Sequence, residues 1–173
     1  MVSIGFRVSP SKVTYAIVRA ATGTFALVDV AVVHVPPALE TPRQLQYIRT
    51  TLLDILEEHA ATRAGLRVAE STARRKVPFR LNLEGVVQEL LASSNVERFV
   101  AGPIATMAAL LGLRDRTLVK QLISGASRPA FCANWTELEE EEREAVLMAV
   151  AAANAGASGL MVTLSTGLSL APP

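Results

Sequence analysis

The first thirty-five residues carry β-type patterning. Residues 2–7 are a short apolar run, and residues 12–19 alternate, with Val13, Tyr15 and Ile17 on one face. After a turn at Ala21-Thr22-Gly23, residues 24–35 are rich in β-branched and apolar side chains. The connections are too short for crossovers, so the pattern predicts an antiparallel three-stranded meander. Pro36 and Pro37 end it, because proline cannot donate into a sheet ladder.

From Thr41 the period becomes helical. Thr41 is the expected N-cap, with Pro42 at the first helical position and Gln44 completing a capping box. Leu45, Ile48, Leu52, Ile55 and Leu56 then form one apolar face. A short strand is expected over residues 66–70, ending in Glu70. Asn82 is the expected cap of a second helix, with Leu83, Val86, Val87, Leu90 and Leu91 inward. Residues 96–101 read as a strand. Gly102-Pro103 opens a helix through Leu111, and Asp115 caps a shorter one that closes near Gly125. Thr136 and Glu139 suggest a capping box for a last helix reaching about Asn154. The order β-β-β-α-β-α-β-α-α-α indicates an α/β fold, a mixed sheet with helices on its faces. The expected division is a domain over residues 1–156 and an apolar tail over 157–173. The tail suits an added strand, a clamp or an oligomer contact alike.

Composition narrows the classes. A chain of 173 residues, 50% apolar and 19% charged, can bury a sizeable core and does not have a disordered composition. A formal charge of +1 provides no overall basic field, so any nucleic-acid surface must come from local clusters. Cys132 is the only cysteine, which excludes an internal disulfide and a multi-cysteine zinc cage and suggests a small packing residue. Arg7 interrupts the apolar start, and no run of about 18 apolar residues exists, so neither a signal peptide nor a membrane span is expected. The expected location is cytoplasmic. No P-loop, GxGxxG motif or nucleophilic triad is present, and His34 and His59 stand alone.

The candidate chemistry lies in the acids. Glu70 is expected at a strand end, and Glu141 and Glu144, three apart, share one face of the last helix. Together they could form a cup of oxygen ligands for hard cations, which in pairs hold the attacking and leaving oxygens of phosphodiester cleavage. The same helix acids equally suit the positive end of the macrodipole. Arg74, Arg75 and Lys76, with Arg80, form a basic group that suits phosphate contacts or simply solvent. Arg114, Arg116 and Lys120 form a second, weaker one.

In order along residues 4–154, these segments resemble the RuvC-type Holliday-junction resolvases of the RNase H-like superfamily. That family opens I-G-I-D-P-G-S and continues with V-T-G-Y; here stand Ile4-Gly5-Phe6-Arg7-Val8-Ser9-Pro10-Ser11 and Val13-Thr14-Tyr15. Val68-Ala69-Glu70 stands where the family ends its fourth strand in glutamate. Val119-Lys120-Gln121-Leu122-Ile123-Ser124-Gly125 is similar to V-K-Q-x-x-x-G, and Glu141-Glu142-Arg143-Glu144-Ala145-Val146-Leu147 to the final-helix D-x-x-D-A-L-A. The resemblance implies an RNase H-like fold with a mixed five-stranded sheet, its first three strands antiparallel and helices on both faces. It also implies a homodimer and, if the acids serve, Mg²⁺ or Mn²⁺ held by Glu70, Glu141 and Glu144. The departure is Arg7, at the family's metal-bridging aspartate. A guanidinium only donates and cannot ligate a cation. The expectation is therefore an Arg7–Glu70 pair, no cofactor, remnant acids, and a protein that binds DNA, RNA or a protein partner. The nucleic-acid contacts would be Arg74, Arg75, Lys76, Arg80 and Lys120. Two alternatives stay open: a divergent metal-dependent endodeoxyribonuclease, and a structural homo-oligomer with no nucleic-acid role.

Overall fold

The computed structural model describes residues 1–70, 77–113 and 115–155. The meander forms as expected from β1 (Val2–Val8), β2 (Lys12–Ala21) and β3 (Thr24–His34), paired antiparallel in sequence. There follow α1 (Thr41–Glu58), β4 (Arg63–Arg67), α2 (Pro78–Ser93), β5 (Arg98–Gly102), α3 (Ile104–Leu110), α4 (Arg116–Ser124) and α5 (Glu140–Asn154). The five strands make one mixed sheet in the order β3-β2-β1-β4-β5, with β4 parallel to both β1 and β5. Strand alternation separates two cores. Ile4, Phe6, Val8, Tyr15, Ile17 and Leu66 pack under Ile48 and Leu52 of α1 and Leu83, Val87 and Leu90 of α2. Ala16 and Val18 belong to the opposite core, with α3, α4, α5 and Trp135.

α5 is the element that builds the site. It is buried on every side from Arg143 to Ala153, which explains why residues 145–155 are so rich in alanine. Gly5 and Gly65 are register partners on β1 and β4. A Cβ on Gly5 would overlap the Ala145 carbonyl and the Ala149 nitrogen, and one on Gly65 the Met148 carbonyl. This glycine pair lets the helix backbone lie directly on the sheet. The Ser3 hydroxyl, fully buried, donates to the Ala149 carbonyl at 2.5 Å. With Ala149 beside Ser3 and Ala145 over Gly5, α5 runs back along β1. Its acidic N-terminus therefore stands above the C-terminal ends of β1 and β4. The terminal carbonyls of α4 tie it to α5 and to the turn before it: Arg143 Nε of α5 donates to Ile123 O at 2.5 Å, and Trp135 Nε1 of the turn to Leu122 O at 2.8 Å.

Element ends depart from the expected ones. β4 spans Arg63–Arg67, not residues 66–70, and β5 spans Arg98–Gly102. Arginines and a glycine hid β4, which is defined by hydrogen bonds to strands on both sides. α2 begins at Pro78, whose fixed φ suits a helix start, and Asn82 lies inside it. Glu40 rather than Thr41 caps α1, and the Gln44 amide turns back to Pro36 O at 3.0 Å. At α5 the capping box is Glu139 with Glu142, while Thr136 lies in a 3₁₀ turn over Trp135–Glu137. Asp115 caps α4 as expected, accepting from Thr117 N–H at 2.7 Å, and Gly125 closes it at φ 81°. Among the described residues, no helix is long and apolar enough to cross a membrane.

Candidate functional site

The sheet register aligns one row across all five strands: Val32, Thr14, Arg7, Arg67 and Gly102. The side chains of Arg7 and Arg67 reach the N-terminal turns of α5 and meet Glu144 there. Arg7 Nε pairs with Glu144 Oε2, and Arg67 Nε lies 3.3 Å from Glu144 Oε1. The Glu144 carboxylate is thus engaged by a guanidinium at each oxygen, with all three side chains largely buried (7% exposed for Glu144, 15% for Arg7 and 5% for Arg67). Arg67 continues to Glu70, Nη2 to Oε1 at 2.8 Å. That same oxygen accepts the N–H of Ile104 at 3.0 Å, where α3 begins. Burial lowers the proton affinity of Arg67, with Glu144 the leading influence in the other direction.

Lys12, at the start of β2, holds the remaining acid. Its Nζ is 3.0 Å from Glu141 and 3.5 Å from Glu139. The Glu141 contact is the main reason its ammonium pKa lies above the ordinary 10.5. A further pair borders the site: Glu84 of α2, nearly buried, accepts from Arg80 Nε at 2.9 Å and from the Ala69 N–H at 3.1 Å.

Several expectations change. Arg7 pairs with Glu144 and not with Glu70, because β1 delivers it beneath α5. Glu70 lies three residues beyond β4 and pairs with Arg67. The residue that ends the fourth strand, directly beside Arg7, is Arg67. Glu141 and Glu144 stand in neighbouring turns but answer to different cations. Arg80 is engaged within its own helix by Glu84. Lys120 and Arg116 are exposed on α4, with no ion pair among the described residues. Arg74, Arg75, Lys76, Arg114 and the tail over 157–173 lie outside the described residues. Arg67, Lys12 and Glu84 were not singled out from the sequence. The repeated triplets Phe6-Arg7-Val8 and Leu66-Arg67-Val68 are the signal by which Arg67 could have been found.

The donor set does not fit a pair of divalent metals. Each of the three acids that might ligate one is bound to a cation of this chain, and both oxygens of Glu144 face guanidinium nitrogens. Among the described residues, no group of three or more His, Cys, Asp or Glu side chains gathers closely enough to hold a metal ion.

No protein-family model matches the chain, and no curated protein matches it. Solved structures do. RuvC of Thermus thermophilus in complex with a Holliday junction substrate superposes with a TM-score of 0.69 at 15% identity, covering 92% of this chain and 97% of that one. Another Thermus thermophilus RuvC structure gives 0.67 at 15% identity over the same shares. The yeast mitochondrial Holliday junction resolvase Ydc2 gives 0.56 at 13% identity, covering 87% of this chain and 77% of that one. At such identities the likeness is one of architecture: this chain shares the fold of the RuvC structures.

Proposed function

We propose that this protein binds nucleic acid, with branched DNA the first candidate, and does not cut it by a divalent-metal mechanism. The observation that carries the reading is the ion pair between Arg7 and Glu144 at the row where the sheet meets α5. A guanidinium against each oxygen of this buried carboxylate supplies the positive charge that a metal would bring and opposes the approach of one. Binding is supported by the fold shared with a RuvC structure that holds a Holliday junction. It is also supported by the exposed Lys120 and Arg116 and by the sequence cluster Arg74-Arg75-Lys76. These act as phosphate contacts, so affinity falls steeply with salt.

The alternative reading is a resolvase-like, Mg²⁺- or Mn²⁺-dependent nuclease that uses Glu70, Glu141 and Glu144. It is favoured by the same fold likeness. Titration of four-way junction, duplex and single-stranded DNA and of RNA, with products followed in parallel, separates the two. The binding reading expects salt-sensitive association, strongest on the junction, with no products in either metal. Arg75→Ala or Lys76→Ala should lower the salt slope by about one. Metal-dependent cleavage that disappears in Glu70→Gln establishes the nuclease instead. Absence of salt-sensitive binding to any of these below about 100 μM, the range of non-specific affinity, leaves a protein partner or a homo-oligomeric role.

A further inference from the structure

We infer that Arg7 and Arg67 form a resident cation pair that takes the place of divalent metal in the acidic cup, and that Arg67 by itself is enough to keep metal out. The inference rests on the same view of the cup as the proposed function, but it concerns metal and stability, not nucleic acid. Arg7 and Arg67 are register partners on adjacent parallel strands, so their side chains leave the sheet side by side. They divide Glu144 between them, one oxygen each. Arg67 also holds Glu70, on the oxygen that receives Ile104 N–H.

The charges close without an ion. With the exposed rim acid Glu139 set apart, Arg7, Arg67 and Lys12 carry three positive charges, and Glu70, Glu141 and Glu144 three negative ones, so these six sum to zero. A divalent ion entering beside the buried Glu144 would add two uncompensated charges where water screens poorly. Arg7→Asp changes the sum from zero to minus two, enough in charge for one ion. Arg67 nevertheless stays against one oxygen of Glu144 and one of Glu70, and its fixed positive charge still opposes a cation there. Arg7→Asp with Arg67→Glu leaves Lys12 against five acids, a sum of minus four, which matches two divalent ions.

The test is Mn²⁺ binding to the full chain, read by electron paramagnetic resonance of free Mn²⁺ and by the shift of Tm with added Mn²⁺. Wild type and Arg7→Asp should show no saturable binding and no Tm shift, whereas Arg7→Asp/Arg67→Glu should bind and gain Tm. Saturable binding by wild type or by Arg7→Asp that is lost on Glu144→Gln overturns the inference, as does a folded double variant indifferent to Mn²⁺. Should the double variant fail to fold, a second cycle decides. Glu144→Gln strands two buried guanidiniums and should lower Tm, and adding Arg67→Gln should recover part of the loss. Strictly additive losses in that cycle overturn the role given to Arg67.

Discussion

Glu144 shows how one buried carboxylate can be held by cations of the chain itself. It is nearly buried, yet each of its oxygens meets a guanidinium, so the desolvation of three charges is offset locally. Lys12 extends the compensation to the rim, where its ammonium holds Glu141 and Glu139. Glu141 raises the folded-state pKa of Lys12 above the ordinary 10.5. A cation with a raised pKa contributes its stability fully below the unfolded value and loses it as pH climbs through the folded one. Wild type should therefore melt above Lys12→Met at neutral pH, and the gap should narrow as pH rises past 10.5. A gap unchanged across that range in paired thermal melts would show that the Lys12 contacts add nothing.

At the scale of elements, the position of α5 depends on two glycines that strand propensity would disfavour. Gly5 and Gly65 leave no side chains between β1, β4 and the helix, so the helix backbone approaches the sheet more closely than any larger residue permits. Gly5→Ala would drive a methyl into the Ala145 carbonyl and the Ala149 nitrogen. Both are backbone and cannot rotate away, so the helix itself must lift. The expected loss is at the upper end of the ~1–3 kcal/mol typical of overpacking, measured by urea unfolding. Gly85 is exposed on α2, and a Cβ there would have nothing within 4 Å. It is the matched control and should gain stability as alanine, by roughly 0.5–1 kcal/mol of helix propensity. Lifting α5 also withdraws Glu144 from Arg7 and Arg67, so packing and ion pairing should fail together.

For the whole molecule, the resemblance to RuvC-type resolvases leads us to propose a twofold assembly. Light scattering should give the mass of two chains at high concentration. A monomer both before and after removal of the tail counts against the dimer. Much of the architecture was already legible in the sequence. The 2.0-residue and 3.6-residue periods reported strand and helix faces, because burial of apolar surface acts on every turn of an element. The three-stranded meander, the Ile48–Leu52–Ile55 face of α1 and the Asp115–Gly125 limits of α4 all stand as expected. What the pattern could not convey was partnership between residues distant in the chain. Arg67 lies sixty positions from Arg7, and only the parallel register of β1 with β4 brings them together. Glu144 becomes their shared partner only because the glycine pair seats α5 above them. A hydrophobic period determines which face a side chain leaves by, whereas sheet register and helix seating, both set by tertiary packing, determine which charge it meets.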